Sequence, residues 1–360
     1  MSYKITVLTP THIGNGQKNA RFLYKGKGQW LYRYDISDVL ANLSQHIPAH
    51  QLLNLDLSSN RKSDWLQIIT KNVDYSDLSP LYKVKNENDY DSKDISEQIK
   101  NLNVPMIPGS SLKGVMMNAI CYALIKRHLD RCNELMERER IRSENELLTN
   151  IYGSSYSTWM NKISSCLIFR DISFSKEDLL LCKGTRLNMQ TNKGAAFTNY
   201  ECIAPGACFE GEMFVIDSYT KPFLSRLPSD LTYYLDEDHL LEALRDYFSD
   251  VSAEDMEYFE QHEYDFEVYA DELYDFIMPK QGALIRIGNS TNYFYKSIAL
   301  LFKENAPELY SNKFHLFSPA PLGKRNSPKP HTIPKTRTIF TSGEIDYLPG
   351  MIKIEKCEYR

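Results

Sequence analysis

Within the 360 residues, no stretch restricts the fold more than 106–120, MIPGSSLKGVMMNAI, which reads as an extended approach, a Pro-Gly turn and a helix in one run. Pro108 drives Ile107 to extended geometry, Gly109 permits a positive φ, and Ser110 or Ser111 can cap a helix that begins near Leu112. The unpaired N–H groups and positive dipole end of such a helix start, with Lys113 beside them, suit a phosphate, so the stretch is expected to form a backbone anion cradle. Gly109 and Gly114 have the first-half spacing of a nucleotide-binding loop, but Val115-Met116 stand where a Lys-Ser/Thr pair would follow, which excludes an ATP-type loop. An ordinary strand–turn–helix junction would use the same residues.

Charge patterning says what kind of ligand to expect. The net charge of −5 averages two unlike parts: 230–277 carries 17 acidic residues against the single Arg245, a net −16, and leaves the rest with 41 basic and 30 acidic residues, a net +11. A basic body fits a polyanion. The acidic block, with Leu240, Leu241, Leu244, Tyr247 and Phe248 at helical intervals, reads as helices with a charged outer face, for a subunit contact or for solvation. A hydrophobic content of 42% is that of a globular protein with a sizeable core, and the length allows two or three domains. The N-terminus alternates as a strand and lacks a signal-type apolar region, and no apolar run reaches membrane-spanning length, so a cytoplasmic location is expected. Seven cysteines form no C-x-x-C pair and read as reduced, mostly buried thiols. No zinc or other metal site and no cofactor are expected.

Taken in order, residues 3–9 alternate as a strand and 9–16 break it with a Gly-x-Gly loop. A hairpin pairs 21–25 with 29–34, and Asp35 or Ser37 caps a following helix with Ile36, Val39, Leu40 and Leu43 at helical spacing. A helix is expected around 64–71, and 83–103 reads as a polar surface insertion. The pattern then predicts one long helix from Leu112 to about Arg142, whose polar side gathers Lys126, Arg127, Arg131, Arg138, Arg140 and Arg142. A strand is expected over 164–174. The stretch 181–199 carries Lys183, Arg186 and Lys193 without one acid and is expected to project as a hairpin loop, anchored by strands at 200–203 and 208–216 turned at 204–207. Residues 281–290 restore a strand and small turn, with a helix over 293–302 bearing Lys296. The acid-free, proline-rich segment 318–342 carries Lys324 and Arg325 and ends in a strand at 336–341. A last strand covers 350–355.

Four fragments together resemble one family. Pro10-Thr11-His12-Ile13-Gly14-Asn15-Gly16 is similar to a P-x-H-I-G-x-G signature, and 107–114 to an IPGSSLKG helix entry. Ile151-Tyr152-Gly153 followed by 167–171, and Ile285-Arg286-Ile287-Gly288 with Lys296, match its later glycine-rich elements. The chain thus resembles the RAMP superfamily of CRISPR RNA-binding proteins, and in order and length is most similar to the fifth Csm subunit of type III-A effector complexes.

That resemblance implies an α+β chain with a ferredoxin-like (RRM-like) core. It divides into an N-terminal domain over 1–220, with an insertion about 46–104 and hairpin loop 181–199, and a second over 221–360, with the acidic insertion 230–277 and basic segment 318–342. It implies a guide (crRNA) binding subunit, without catalysis, at the guide's 3′ end. The partners are crRNA, target RNA and other Csm subunits, above all the backbone RAMP subunit repeated along the guide. The RNA contacts implied are His12, Gly14, Asn15, Gly16, Gly109, Ser110, Ser111, Lys113, Lys183, Arg186, Lys193, Arg286, Asn289, Lys296, Lys324 and Arg325. Residues 10–34 contain no carboxylate, so metal-assisted RNA cleavage is not expected there. Asp171 reads as a strand-end structural hydrogen bond. The rival of another class is a metal-independent guide-processing endoribonuclease in which His12 and a lysine form the acid/base pair.

Overall fold

The computed structural model describes residues 2–48, 50, 62–88, 93–138, 141, 143–188, 193–194, 197–217, 227–260, 282–313 and 336–357. Strand β1 (Tyr3–Val7) buries Tyr3, Ile5 and Val7 on one face, as a period of two requires. β2 (Gly14–Asn19) is exposed almost throughout, and β3 (Tyr24–Lys27) and β4 (Trp30–Arg33) form the expected hairpin. Helix α1 (Ile36–His46) starts where the sequence places it, the Asp35 carboxylate accepting from the Ser37 N–H at 2.7 Å. α2 (Lys62–Asn72) follows.

The polar stretch read as an insertion instead supplies β5 (Tyr82–Lys85), β6 (Ile95–Gln98), β7 (Lys100–Asn101) and β8 (Val104–Ile107). Tyr82, Val84 and Ile95 face inward there, and the charged residues between them conceal the alternation. The single long helix divides into α3 (Gly109–Arg127) and α4 (Leu129–Arg138). Neither proline nor glycine stands at the break. Tertiary packing sets it: α3 buries Leu112, Met116, Ala119, Ile120, Tyr122, Leu124 and Ile125, while the His128 ring is held by the Tyr152 hydroxyl at 3.0 Å and the Asp230 carboxylate at 3.3 Å. Arg140 and Arg142 lie outside the described residues.

α5 (Glu144–Tyr152) and α6 (Tyr156–Cys166) lead to β9 (Leu167–Phe169) and β10 (Ile172–Ser173), so the strand expected from 164 begins three residues later. Then come β11 (Leu179–Asn188), β12 (Lys193–Gly194), β13 (Thr198–Ile203), β14 (Cys208–Gly211) and β15 (Phe214–Ile216). α7 (Ser229–Thr232) and α8 (Glu237–Glu260) form the described part of the acidic block, and β16 (Gly282–Arg286) follows. The helix expected over 293–302 is a 3-10 turn (Tyr293–Lys296) and then α9 (Ala299–Asn305). α10 (Pro307–Lys313), β17 (Thr336–Ser342), β18 (Ile345–Tyr347) and β19 (Met351–Lys356) complete the chain.

Two sheets position the site. The first, in the order β14-β1-β19-β16, is antiparallel and backs the larger core, so strand pairing joins segments on both sides of residue 220. The second runs β2-β6-β13-β11-β5-β4-β3, with α1 and α2 over a smaller core on one face. The described residues of 181–199 lie largely in strands, β11 pairing antiparallel with β12 and β13 as in a hairpin. β11 pairs with β13 through Lys183 and Asn199, and with β17 through Arg186 and Thr338. Residues 200–203 and 208–216 do not form a hairpin: the chain crosses between sheets at 204–207, since β14 pairs with β1.

The acidic helix α8 lies inside the molecule's charge balance. Asp250 meets Lys126 at 2.5 Å and accepts from the Tyr122 hydroxyl at 2.8 Å. Glu254 pairs with Lys303, and Asp238 with Lys356. Asp255 is buried with its side chain 4% exposed, binding the Arg286 guanidinium at 2.7 Å and that of Arg337 at 3.1 Å. A subunit contact or solvation is thus not needed to explain these carboxylates, which counter the chain's own cations. Residues 261–277 of the block lie outside the described residues.

Candidate nucleic-acid interface

Segments far apart in sequence close around a groove of about 720 Å³. It is lined by His12–Gly14 and Gly16–Lys18, by Ser96, by Ser111, Gly114, Val115 and Asn118 of α3, and by Arg286–Asn289, Thr291, Tyr295 and Lys296. None of these lining residues is a carboxylate. The groove unites three of the four fragments on which the family resemblance rests.

The first wall is β2. Its register with β6 slips between Gly14 and Lys18, and of the intervening residues Gly16 and Gln17 line the groove. Asn15 turns aside, its amide donating to Glu97 Oε2 at 3.0 Å, and does not line the groove. His12 lies beneath, 1% exposed. Its Nδ1–H donates to the Glu201 carbonyl oxygen at 2.7 Å, which leaves Nε2 as the acceptor for Ser96 Oγ at 3.3 Å. Burial above all, with Lys100 adding to it, lowers the His12 pKa from 6.5 to about 4, so the ring is neutral at pH 7.

A buried hub holds this wall from below. Glu201 is fully buried and accepts from the Tyr24 hydroxyl at 2.8 Å, the Tyr82 hydroxyl at 2.9 Å and Lys100 Nζ at 2.5 Å. Burial first, and the Glu201 charge second, push both phenols well above their usual range. Gln98, also fully buried, accepts from the Ile13 N–H at 2.8 Å and donates to the Met106 carbonyl at 3.0 Å, tying the loop to the approach of α3.

The second wall corrects the anion-cradle expectation. The Gly109 N–H donates to Asp171 Oδ1 at 2.8 Å, and the N–H groups of Ser111 and Leu112 turn back to the Pro108 carbonyl. The chain's own carboxylate thus caps this helix, confirming the structural role read for Asp171. Gly109 is not in a positive-φ conformation. It is needed because a Cβ there would lie 2.5 Å from the Phe169 carbonyl oxygen. Ser111 reaches the groove; Gly109, Ser110 and Lys113 do not line it.

The third wall is the turn after β16. Gly288 has φ +100°, and a Cβ there would stand 2.4 Å from the His12 carbonyl oxygen, which accepts the Asn289 N–H at 2.8 Å. The two glycine loops are thereby clasped backbone to backbone. Arg286, expected to reach ligand, is 3% exposed and committed to Asp255 and, through Nε, to the Pro349 carbonyl at 2.9 Å. It supports the wall. Lys296 is exposed, and its pKa is lowered, first by partial burial and then by the neighbouring Arg286 guanidinium.

Lys183 and Arg186 lie away from the groove on β11, where the Lys183 ammonium sits 3.9 Å from the centre of the Phe197 ring and Arg186 is exposed. Lys193 is on β12. Lys324 and Arg325 lie outside the described residues. Sequence reading missed Lys18 and Asn118. The signals were present: a period of two through Gly14 and Gly16 leads to Lys18, and Ser111, Gly114, Val115 and Asn118 recur at helical spacing.

The sequence matches the family model described as the RAMP superfamily over residues 4–305. No curated protein matches it. Among solved structures, its fold is similar to a chain in the cryo-EM structure of a Csm–crRNA–target RNA ternary complex of a type III-A CRISPR-Cas system. That chain is 19% identical with a TM-score of 0.71, the match covering 99% of this chain and 100% of that one. It is similar also to the crystal structure of T. onnurineus Csm5, 19% identical with a TM-score of 0.67 and coverages of 97% and 99%. The expected α+β class is the class observed, and the fold is shared with those structures.

Proposed function

Since the family match spans 4–305, the chain belongs to the RAMP superfamily, and from that premise we propose that it is a guide (crRNA) binding subunit, without catalysis of its own. It caps the 3′-end side of a type III-A (Csm) interference complex, contributing to crRNA maturation and antiviral RNA targeting. The observation that carries this is the convergence of the His12–Lys18 loop, the Ser111–Asn118 helix face and the Arg286–Lys296 turn on one groove lined by no carboxylate. A single-stranded polyanion suits such a groove: Lys18 and Lys296 meet phosphates, while Ser96, Ser111, Gln17 and Asn289 offer hydrogen bonds that do not depend on base identity. The similar ternary complex contains crRNA and target RNA, which supports the same ligand class.

The subunit's neighbours in this reading are other Csm proteins, above all the backbone RAMP subunit repeated along the guide. The endoribonuclease alternative is weaker because a general base must reach the proton it abstracts. His12 is almost wholly buried, with both ring nitrogens engaged. Co-purification of the chain with its genomic neighbours' products, followed by sequencing of the bound RNA, tests the proposal. Guide RNA protected at its 3′ end is expected. RNA of random sequence, or His12-dependent cutting of repeat-containing precursor RNA in EDTA, would overturn it.

A further inference from the structure

At the sheet edge opposite β2, the register builds a pattern the groove does not use. Lys25 of β3 faces Tyr32 of β4, which faces Lys83 of β5; one pleat along, Lys27, Trp30 and Lys85 stand in the same order. Partners across strands share a face, so these six side chains form two rows, each cation–aromatic–cation. The reverse face carries Tyr24, Leu31 and Val84, buried with Val39 and Leu43 of α1 and Ile69 of α2. The register therefore places the rows on the side away from the helices, with the Lys25 ammonium turned round the edge strand to 5.5 Å from the centre of the Tyr75 ring.

Lys25 and Lys27 are exposed, and the other four are partly so. The Lys83 ammonium sits 4.3 Å from the Trp30 ring centre and holds the indole. Glu177, 3.4 Å from Lys83, and Glu87, 2.6 Å from Lys85, form solvent-exposed ion pairs of the kind that contribute little in water and exchange readily for phosphate. Among the described residues, Lys25 and Lys27 pair with no carboxylate. Protection of a sheet edge against aggregation would account for lysines on β3. It does not account for Lys83 and Lys85 on β5, which has strands on both sides, or for the aromatics on β4.

We propose that this face is a second contact for single-stranded RNA, with Trp30 and Tyr32 as stacking platforms for bases and the flanking lysines on phosphates. Stacking requires unpaired bases, which favours a single strand over a duplex, and it tolerates any sequence. The register also places the face in line with the groove. Lys18 pairs with Ser96, Ser96 with Tyr200, Tyr200 with Cys182, and Leu180, two residues before Cys182, with Lys85. Lys18 and Lys85 thus share one side of the sheet, four strand steps or roughly 19 Å apart along it. Leu180 and Cys182 on that side are buried between the two, so an RNA strand that reaches both contacts passes around them rather than across them. The proposal rests on the RNA reading above for the identity of the polyanion.

Ultraviolet cross-linking and titration of the full chain with oligouridylates of about five and about twenty nucleotides test it. The longer oligomer is expected to leave adducts on Trp30 or Tyr32. Lys25→Glu with Lys27→Glu, and separately Trp30→Leu, should weaken that oligomer about tenfold and change the shorter one less than about twofold. Lys296→Ala should weaken both lengths, which separates the groove from the face. Unchanged affinity for the longer oligomer with no adduct between Tyr24 and Arg33 would overturn the proposal and leave the groove reading standing. So would a neighbouring protein subunit that shields these lysines from acetylation without RNA while no adduct forms. If neither oligomer binds the wild-type chain, the RNA reading fails and this proposal with it.

Discussion

Two junctions of this chain look alike in sequence and differ in what they do. Ile107–Leu112 and Ile285–Tyr293 each lead a strand through a glycine into a helical turn. In the first, glycine lets α3 press against the Phe169 carbonyl, and Asp171 takes the Gly109 N–H that a phosphate would have needed. In the second, glycine lets the turn press against His12, and that contact closes one side of the groove while Lys296 stands exposed beside it. Gly288 lines the groove and Gly109 does not, yet close backbone approach requires glycine at both. In both, the backbone is used to hold the chain to itself, and the side chains of Lys18, Ser111 and Lys296 are among those that line the groove.

The largest effect should come from undoing the anchor of the second junction. Asp255→Ala leaves Arg286 and Arg337 buried without their carboxylate, and denaturant unfolding should show a loss of about 3–5 kcal/mol. Next, Gly288→Ala should cost roughly 2–4 kcal/mol, from a backbone collision together with an unfavourable positive φ. Gly109→Ala meets a similar collision without the dihedral cost, and should be milder by about 1 kcal/mol. Equal losses would show that both glycines serve packing alone.

A further stability effect is set by pH. His12 is neutral in the folded chain, its pKa held at about 4 against the ordinary 6.5. Below 6.5 the unfolded chain takes up a proton that the folded chain refuses, so stability present above that value is lost as pH falls toward 4. The loss attributable to His12 is on the order of 3 kcal/mol. It should appear as a gap between wild type and His12→Gln that narrows by that amount between neutral and about pH 4.

What the sequence made legible, and what it did not, follows from where the determining interactions lie. The hairpin at 24–33, the cap at Asp35 and the strands at 282–286 and 336–342 were readable because neighbouring residues determine them. The division of the long helix at His128 was not, because partners at Tyr152 and Asp230 make it. The charge split into an acidic block and a basic body was real as composition but misleading as architecture: only the fold shows Asp255 between Arg286 and Arg337. The groove's members were largely legible as motifs. That they share one concavity depends on the Asn289–His12 and Ile13–Gln98 hydrogen bonds, which join residues far apart in the chain.

Whether the three motifs form one phosphate-holding groove is tested most directly by the salt dependence of single-stranded RNA binding. Lys18→Ala and Lys296→Ala should each reduce the slope of log Kd against log salt by about 0.7 and, combined, by about 1.4, without loss of folding stability beyond about 0.5 kcal/mol. A double variant whose slope matches that of the wild type would contradict a shared groove.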